Sequence, residues 1–283
     1  MKIIDVYTPF LDALHRTGSL KQAARSTEPL SRFSQQADHW DIDWSGVEHW
    51  MKSQEYITHA ARTARAYLPL ARALTQKVES LLNGGRDLPG ELHLVPSLQA
   101  FDGFARYDRG THTVLLGIDF PDASLDYLRA LTAHELSHVY RDHQPNVWGF
   151  LGKPLSQITR AEYLDAGTAR EHLVSEGLAT LFSQLLFPEI EPATHHYYHP
   201  HEWDWCVRCH SQIEQALLQT LHPPGDENVW KFYGEESVGP GSPSRTQYYW
   251  AAHRIREWLP DFNLRSLAIA HGWHADRFEC FGP

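Results

Sequence analysis

The sequence predicts an α+β, mainly helical fold, with a small β-sheet beside one motif-bearing helix and helical parts before and after it. Three observations carry this expectation. Long stretches on either side of residue 90 place apolar residues at three- and four-residue steps, the spacing of one helix face. Three short β-type runs fall together between residues 91 and 118. Soon after them comes LTAHELSHVYRD, from Leu131 to Asp142, inside an amphipathic helical pattern.

The elements follow in order. Residues 3–80 read as helical. Tyr7 to His15 has helical spacing, Gly18-Ser19 interrupts it, and Leu20 to Phe33 continues more weakly. His49 to Leu82 is rich in Ala, Arg, Leu and Glu, which favour helix, and Pro69 inside it predicts a kink or two helices. Asn83-Gly84-Gly85 stops the run. This block reads as packing scaffold. Glu91 to Pro96, Phe101 to Tyr107 and His112 to Ile118 read as strands, with Asp108-Arg109-Gly110 as a turn. A helix is expected from Leu125 to Arg141, with Asp122 or Ser124 as N-cap. Pro145 to Gly167 reads as an irregular stretch with room for a short helix. Thr168-x-x-Glu171 matches a capping box and opens a helix that runs to Phe187. Residues 189–202 read as loop, Glu202 to Leu221 as helix and Pro223 to Pro243 as a long loop. Arg245 to Leu259 and Phe262 to Ala270 complete the helices.

At 283 residues the chain can bury a large core. The expected division is a helical N-terminal region, 1–86, packed on a core formed by 87–283, as one compact unit. With 42% hydrophobic and 21% charged residues the composition is that of an ordinary globular protein. The formal charge of −10 argues against broad nucleic-acid binding, which needs basic surface. Protonating all 19 histidines would move the charge from −10 to +9, so mild acid should alter solubility and stability. Three cysteines make no disulfide framework. No apolar run of signal-peptide type opens the chain, and no stretch reaches the length of a membrane span. The expectation is a cytoplasmic protein that engages neither membrane nor nucleic acid.

His134-Glu135-x-x-His138 is the HExxH pattern. On a helix two histidines four residues apart share a face, so both imidazoles can bind one Zn²⁺ while Glu135 reaches a water beside it. In a chain this rich in His, composition alone gives about 0.08 chance matches, so the helical context carries the argument. A catalytic zinc needs three protein ligands and an open position. The HExxHxxGxxH route to a third ligand fails, because Arg141 and Gln144 stand at its Gly and final His positions. A Glu from a later helix is the other route, and Glu176 in Leu173–Thr180 (LVSEGLAT) supplies one, 38 positions after His138. His172, one turn earlier, is the alternative third ligand. Gly177 would let the two helices approach closely beside the metal.

HExxH followed by the helical SEGLA segment resembles the gluzincin class. More closely, it resembles a bacterial family of predicted Zn-dependent proteases known as a domain of unknown function. The likeness spans about Leu92 to Leu259 and leaves out the first 80 residues. It implies a zincin-like fold, one Zn²⁺ held by His134, His138 and Glu176, and Glu135 as the base in hydrolysis of a peptide or protein substrate. Arg245 to Ile255 resembles that family's Gly-Tyr-x-x-Gly segment, with Tyr248 on its Tyr and Gln247 and Ala251 in place of its glycines. Tyr248 would then help stabilise a tetrahedral oxyanion. The strand His112–Ile118 is the expected edge for an extended peptide.

Other readings stay open beside this one. The same frame without catalysis would be a binding protein with structural or absent zinc, though such a protein has no use for Glu135 as a base. Cys206-Val-Arg-Cys209-His210 matches the c-type haem attachment pattern. With His195, His196, His199 and His201 nearby, it also offers a second metal site, against the plainer reading of two reduced thiols on a helix. Arg245 reads as a substrate clamp or as ordinary surface.

Overall fold

A computed structural model describes residues 1–28, 30, 42–108, 110–221, 229–259 and 261–281. It is mixed helix and strand, mainly helical, with a four-stranded sheet of order β1-β2-β4-β3. The strands are β1 (Lys2–Asp5), β2 (Glu91–Val95), β3 (Gly103–Asp108) and β4 (Thr111–Gly117). β1 and β4 flank β2 in parallel, with Ile3 opposite Leu92 and Leu92 opposite Val114, and β3 runs antiparallel to β4.

Two sequence expectations fail here. Lys2–Asp5 is a strand, although residues 3–80 read as helical, because it docks beside a partner some 90 positions away. His112–Ile118 is not the edge. β4 is enclosed between β2 and β3, and the edge strand on that side is β3.

The N-terminal helices are α1 (Tyr7–Thr17), α2 (Leu20–Ser26), α3 (Trp44–Met51), α4 (Ala61–Tyr67) and α5 (Ala71–Leu82), with a π-turn at Tyr56–Ala60 leading into α4. The run expected from His49 divides into two helices around Pro69, as its Pro predicts, and is also interrupted at residues 52–53, before the π-turn. Residues 29 and 31–33 of the expected stretch Leu20–Phe33, Arg109 of the expected turn and residues 223–228 of the expected loop lie outside the described residues.

The motif lies on α6 (Leu125–Asp142), where the Ser124 side chain caps the start by accepting from the Tyr127 amide at 3.0 Å. Asp122 is not the cap and sits in a left-handed turn. After α7 (Arg160–Ala166), Thr168 caps α8 (Ala169–Leu186), its hydroxyl accepting from the Glu171 amide. Residues 189–202 hold a short helix, α9 (Pro192–His195). The expected single helix 202–221 is two, α10 (Pro200–Arg208) and α11 (His210–Leu221). α12 (Thr246–Trp258) and α13 (Leu264–Ala270) follow. Among the described residues no helix is long and apolar enough to cross a membrane.

Alternation along the strands splits the core. Leu92, Leu94, Val114 and Leu116 join the main cluster with Leu128, Leu131, Leu136, Leu173, Leu178, Phe182 and Trp250. Val95 and Leu115 face the other way, onto Phe10, Leu20, Val47 and Tyr56. Each such side chain contributes roughly 1.5–3 kcal/mol by leaving water. α6 therefore sits between the sheet and α8, buried on nearly every face. Buried Arg141 ties it to α8 through Glu171 and to the C-terminal segment through the carbonyls of His271 (3.1 Å) and Trp273 (2.9 Å).

Candidate metal centre

α6 and α8 pack side by side, and that packing brings three side chains together. His134 and His138 stand one turn apart on α6, their rings 4.7 Å apart and nearly perpendicular. Glu176 comes from α8. One of its oxygens lies 3.0 Å from His134 Nε2 and 3.6 Å from His138 Nε2. Among the described residues this is the one group of His, Cys, Asp and Glu side chains whose ligand atoms converge, all within 4.8 Å.

The three residues fit a metal ion. Tetrahedral zinc, with ligands about 2.0–2.1 Å away, sets neighbouring donors roughly 3.3 Å apart, and the two measured spacings bracket that figure. His138 Nδ1 lies 2.8 Å from Ser175 Oγ. When that nitrogen donates to the hydroxyl, the Nε2 lone pair is left for a cation. His134 and Glu176 are almost fully buried (2% and 8% exposed), so a carboxylate and two imidazoles meet away from water. A cation satisfies all three ligand atoms at once, whereas a single shared proton bridges only two of them.

The electrostatics agree. Burial lowers the His134 pKa. For His138 burial also acts downward, but the adjacent Glu176 carboxylate outweighs it and lifts the group to about 9. Burial works against the Glu176 charge, yet His138 and the hydrogen bonds from both imidazoles hold it well below the usual carboxylate range. For Glu135 burial outweighs the opposing His138 charge and pushes the carboxyl up to about 8.

The donors line a cavity of about 410 Å³. Glu135 lies on its wall against the start of β3, where a side chain at Gly103 would meet its Cγ at 3.3 Å. Trp148 and Tyr163 also line the cavity and hydrogen-bond to Asp142, at the C-terminal end of α6.

Tyr248 is brought to the site, its ring stacked on that of His134 at 5.8 Å. Its hydroxyl lies 3.2 Å from that of Tyr233, which is 3.0 Å from His172 Nε2. His172 stands outside the converging group, its Nδ1 3.8 Å from the second Glu176 oxygen. Tyr249 and His253 lie against His210 instead. Gly177 does not serve the approach of α6 and α8. A Cβ there would meet the Ala251 backbone carbon and Ile255 Cδ1 at 2.8 Å, so the close contact is with α12.

Spacing alone missed three residues. Tyr197 comes from the stretch expected as loop. It lines the cavity with a left-handed backbone (φ 61°), its ring lies 5.4 Å from that of His134, and its buried hydroxyl has no hydrogen-bond partner among the described residues. Tyr233 follows a stretch with no helical period, and Asp102 has no fixed spacing to the motif. The run of His and Tyr at 195–199 was the only signal for the first. Arg245 proves to be a cavity residue and not ordinary surface. Cys206 and Cys209 are free thiols that gather no histidine into a ligand group, and burial lifts the Cys206 thiol to about 12. No protein-family model, curated protein or solved structure matches this chain, so what the site can do follows from its own atoms.

Proposed function

We propose that this protein is a zinc-dependent metallopeptidase of the gluzincin type. The observation that carries the reading is the convergence of His134, His138 and Glu176 beside a buried Glu135. Zn²⁺ bound there would polarise a substrate carbonyl and lower the pKa of a water towards about 7. Glu135 takes a proton from the attacking water and delivers it to the leaving amine. Burial raises the proton affinity of the Glu135 carboxylate, which makes it a stronger base for that shuttle. Tyr248, whose ionisation burial opposes first and Glu176 second, stays protonated and donates a hydrogen bond to the developing oxyanion. β3 presents its outer edge along one wall of the cavity, where an extended peptide can add as a further strand. Sheet, motif helix and ligand helix in this order support a zincin-like fold. We place the reaction in the cytoplasm, in keeping with three cysteines that form no disulfide.

The test combines metal content with peptide cleavage. Purified protein should carry one zinc and cleave a peptide library, and a chelator should abolish that cleavage. Glu135→Gln should keep the metal and lose roughly 10²–10⁴ in rate. Glu176→Ala should lose most of the metal. A fully loaded Glu176→Ala protein, or cleavage that survives the chelator, would sink the assignment.

A further inference from the structure

Arg245 is the one Arg or Lys side chain lining the cavity among the described residues. Its backbone is left-handed (φ 60°, ψ 28°), which a side chain other than Gly, Asn or Asp seldom adopts. Three hydrogen bonds impose it. The Arg245 amide donates to the Phe232 carbonyl at 2.7 Å. Its carbonyl accepts from the Tyr198 hydroxyl at 2.8 Å and from the Tyr248 amide at 3.0 Å. A conformation that costs on the order of 1–3 kcal/mol persists only where its surroundings over-determine it, and such residues gather at ligand sites.

The side chain is held as firmly. Arg245 Nη1 donates to Asp102 Oδ2 at 3.0 Å, and Asp102 is itself fixed by the Tyr127 hydroxyl (2.7 Å) and the Gly103 amide (2.8 Å). The guanidinium lies over the Tyr197 ring, 5.7 Å from its centre, and is 31% exposed. Asp102 takes one edge of the group, and a guanidinium has five N–H donors. Of the other acids on the cavity wall, Glu171 pairs with Arg141, Asp142 with His112 and Glu176 with the two histidines, while Glu135 feels the Arg245 charge without forming an ion pair with it.

From this geometry we infer that Arg245 is a specificity residue that reads a carboxylate on the substrate. The inference rests on the hydrolase reading above. A planar guanidinium with free donors matches a carboxylate, which it can grip with two parallel hydrogen bonds. Its position suits a carboxylate near the scissile bond. The anchor Asp102 directly precedes β3, and Tyr127 is seven positions before His134 on α6, about 10 Å along the axis. An extended peptide on the edge of β3 covers that distance in about three residues. The carboxylate is either the free C-terminus of the peptide or an acidic side chain.

Two matched substrate pairs separate these sources. One pair differs only in a free versus an amidated C-terminus, the other only in Glu versus Gln at one position, scanned either side of the cleaved bond. The readout is the ratio of kcat/KM within each pair. The wild-type ratio should be roughly 10- to 100-fold in favour of the carboxylate in one pair, which identifies the source. Arg245→Asn removes the charge with a side chain that tolerates the left-handed backbone, and should bring the ratio to within about twofold. Arg245→Lys keeps the charge without the fork and should give an intermediate ratio, which also covers the case of a poorly folded Asn variant. A wild-type ratio near one in both pairs overturns the inference, as does a preference that survives in Arg245→Asn. If no peptide is cleaved at all, the hydrolase reading has failed by itself. Fluorescence anisotropy with the same peptides on Glu135→Gln protein then decides the role of Arg245 by the same ratios in Kd.

Discussion

Gly177→Ala tests the packing that holds α12, and Tyr248 with it, against the site. The added Cβ would lie 2.8 Å from the Ala251 backbone carbon and from Ile255 Cδ1, and 3.0 Å from the Ala251 carbonyl oxygen. Carbon atoms pack comfortably at about 3.5–4.0 Å, so α12 must retreat by at least roughly 0.7 Å. Ile255 can turn aside, but the Ala251 backbone has no rotamer to change. Overpacking of this kind costs about 1–3 kcal/mol, and the unyielding backbone favours the upper half. The gain in helix propensity from Gly to Ala returns about 0.8–1.0 kcal/mol. The net loss is about 1–2 kcal/mol, or roughly 2–3 °C in Tm for a chain of this length. Gly149→Ala is the control, because nothing lies within 4 Å of a Cβ there and its backbone is not left-handed. Calorimetry on both variants decides it. A Gly177→Ala protein as stable as wild type, or more so, refutes the claim that α12 rests directly on this glycine.

Acid should destabilise the fold through histidines buried as neutral rings. Burial takes His195 down to about 4, and His196 and His271 down to about 3, below the unfolded value of roughly 6.5. Folded pKa values depressed in this way mean that the stability is complete above about pH 6.5 and is lost as pH falls towards 3–4. At pH 5 each ring withdraws about 2 kcal/mol, about 6 kcal/mol together. Tm of chelator-treated protein should therefore drop steeply between pH 7 and 5, and a flat profile would contradict the assignment. Tyr197, whose buried hydroxyl is unpartnered among the described residues beside the His134 ring, is a second candidate donor next to Tyr248. Tyr197→Phe and Tyr248→Phe should therefore each lower kcat by roughly 10- to 1000-fold with metal content unchanged, as for a lost oxyanion donor. Wild-type kcat in both variants would remove hydroxyl donation from the proposed mechanism.

Much of the site was legible because helices are local objects. His134 and His138 are one turn apart on any helix, and the caps Ser124 and Thr168 each bond an amide three positions on. Glu176 was legible for the same reason, as a carboxylate on a second well-capped helix. The architecture beside the site was less so. His112–Ile118 and Phe101–Tyr107 have similar local patterns, and nothing in either says which is enclosed and which forms the edge. That depends on β2, which pairs with β4 and leaves β3 outermost. Lys2–Asp5 was misread because four residues before a helical run carry too little period of their own to declare a strand.

The sequence by itself determined the motif helix, the helix capped by Thr168 and the residue types able to hold a cation, since each depends on neighbours within about four positions. Tertiary structure alone decided which groups surround that site. Arg245 meets Asp102 across 143 positions, Tyr248 meets the His134 ring from another helix, and Gly177 turns out to serve α12 and not α6. Such contacts arise when amphipathic faces find their partners in a common core, and local spacing records which face a helix buries but not what it is buried against.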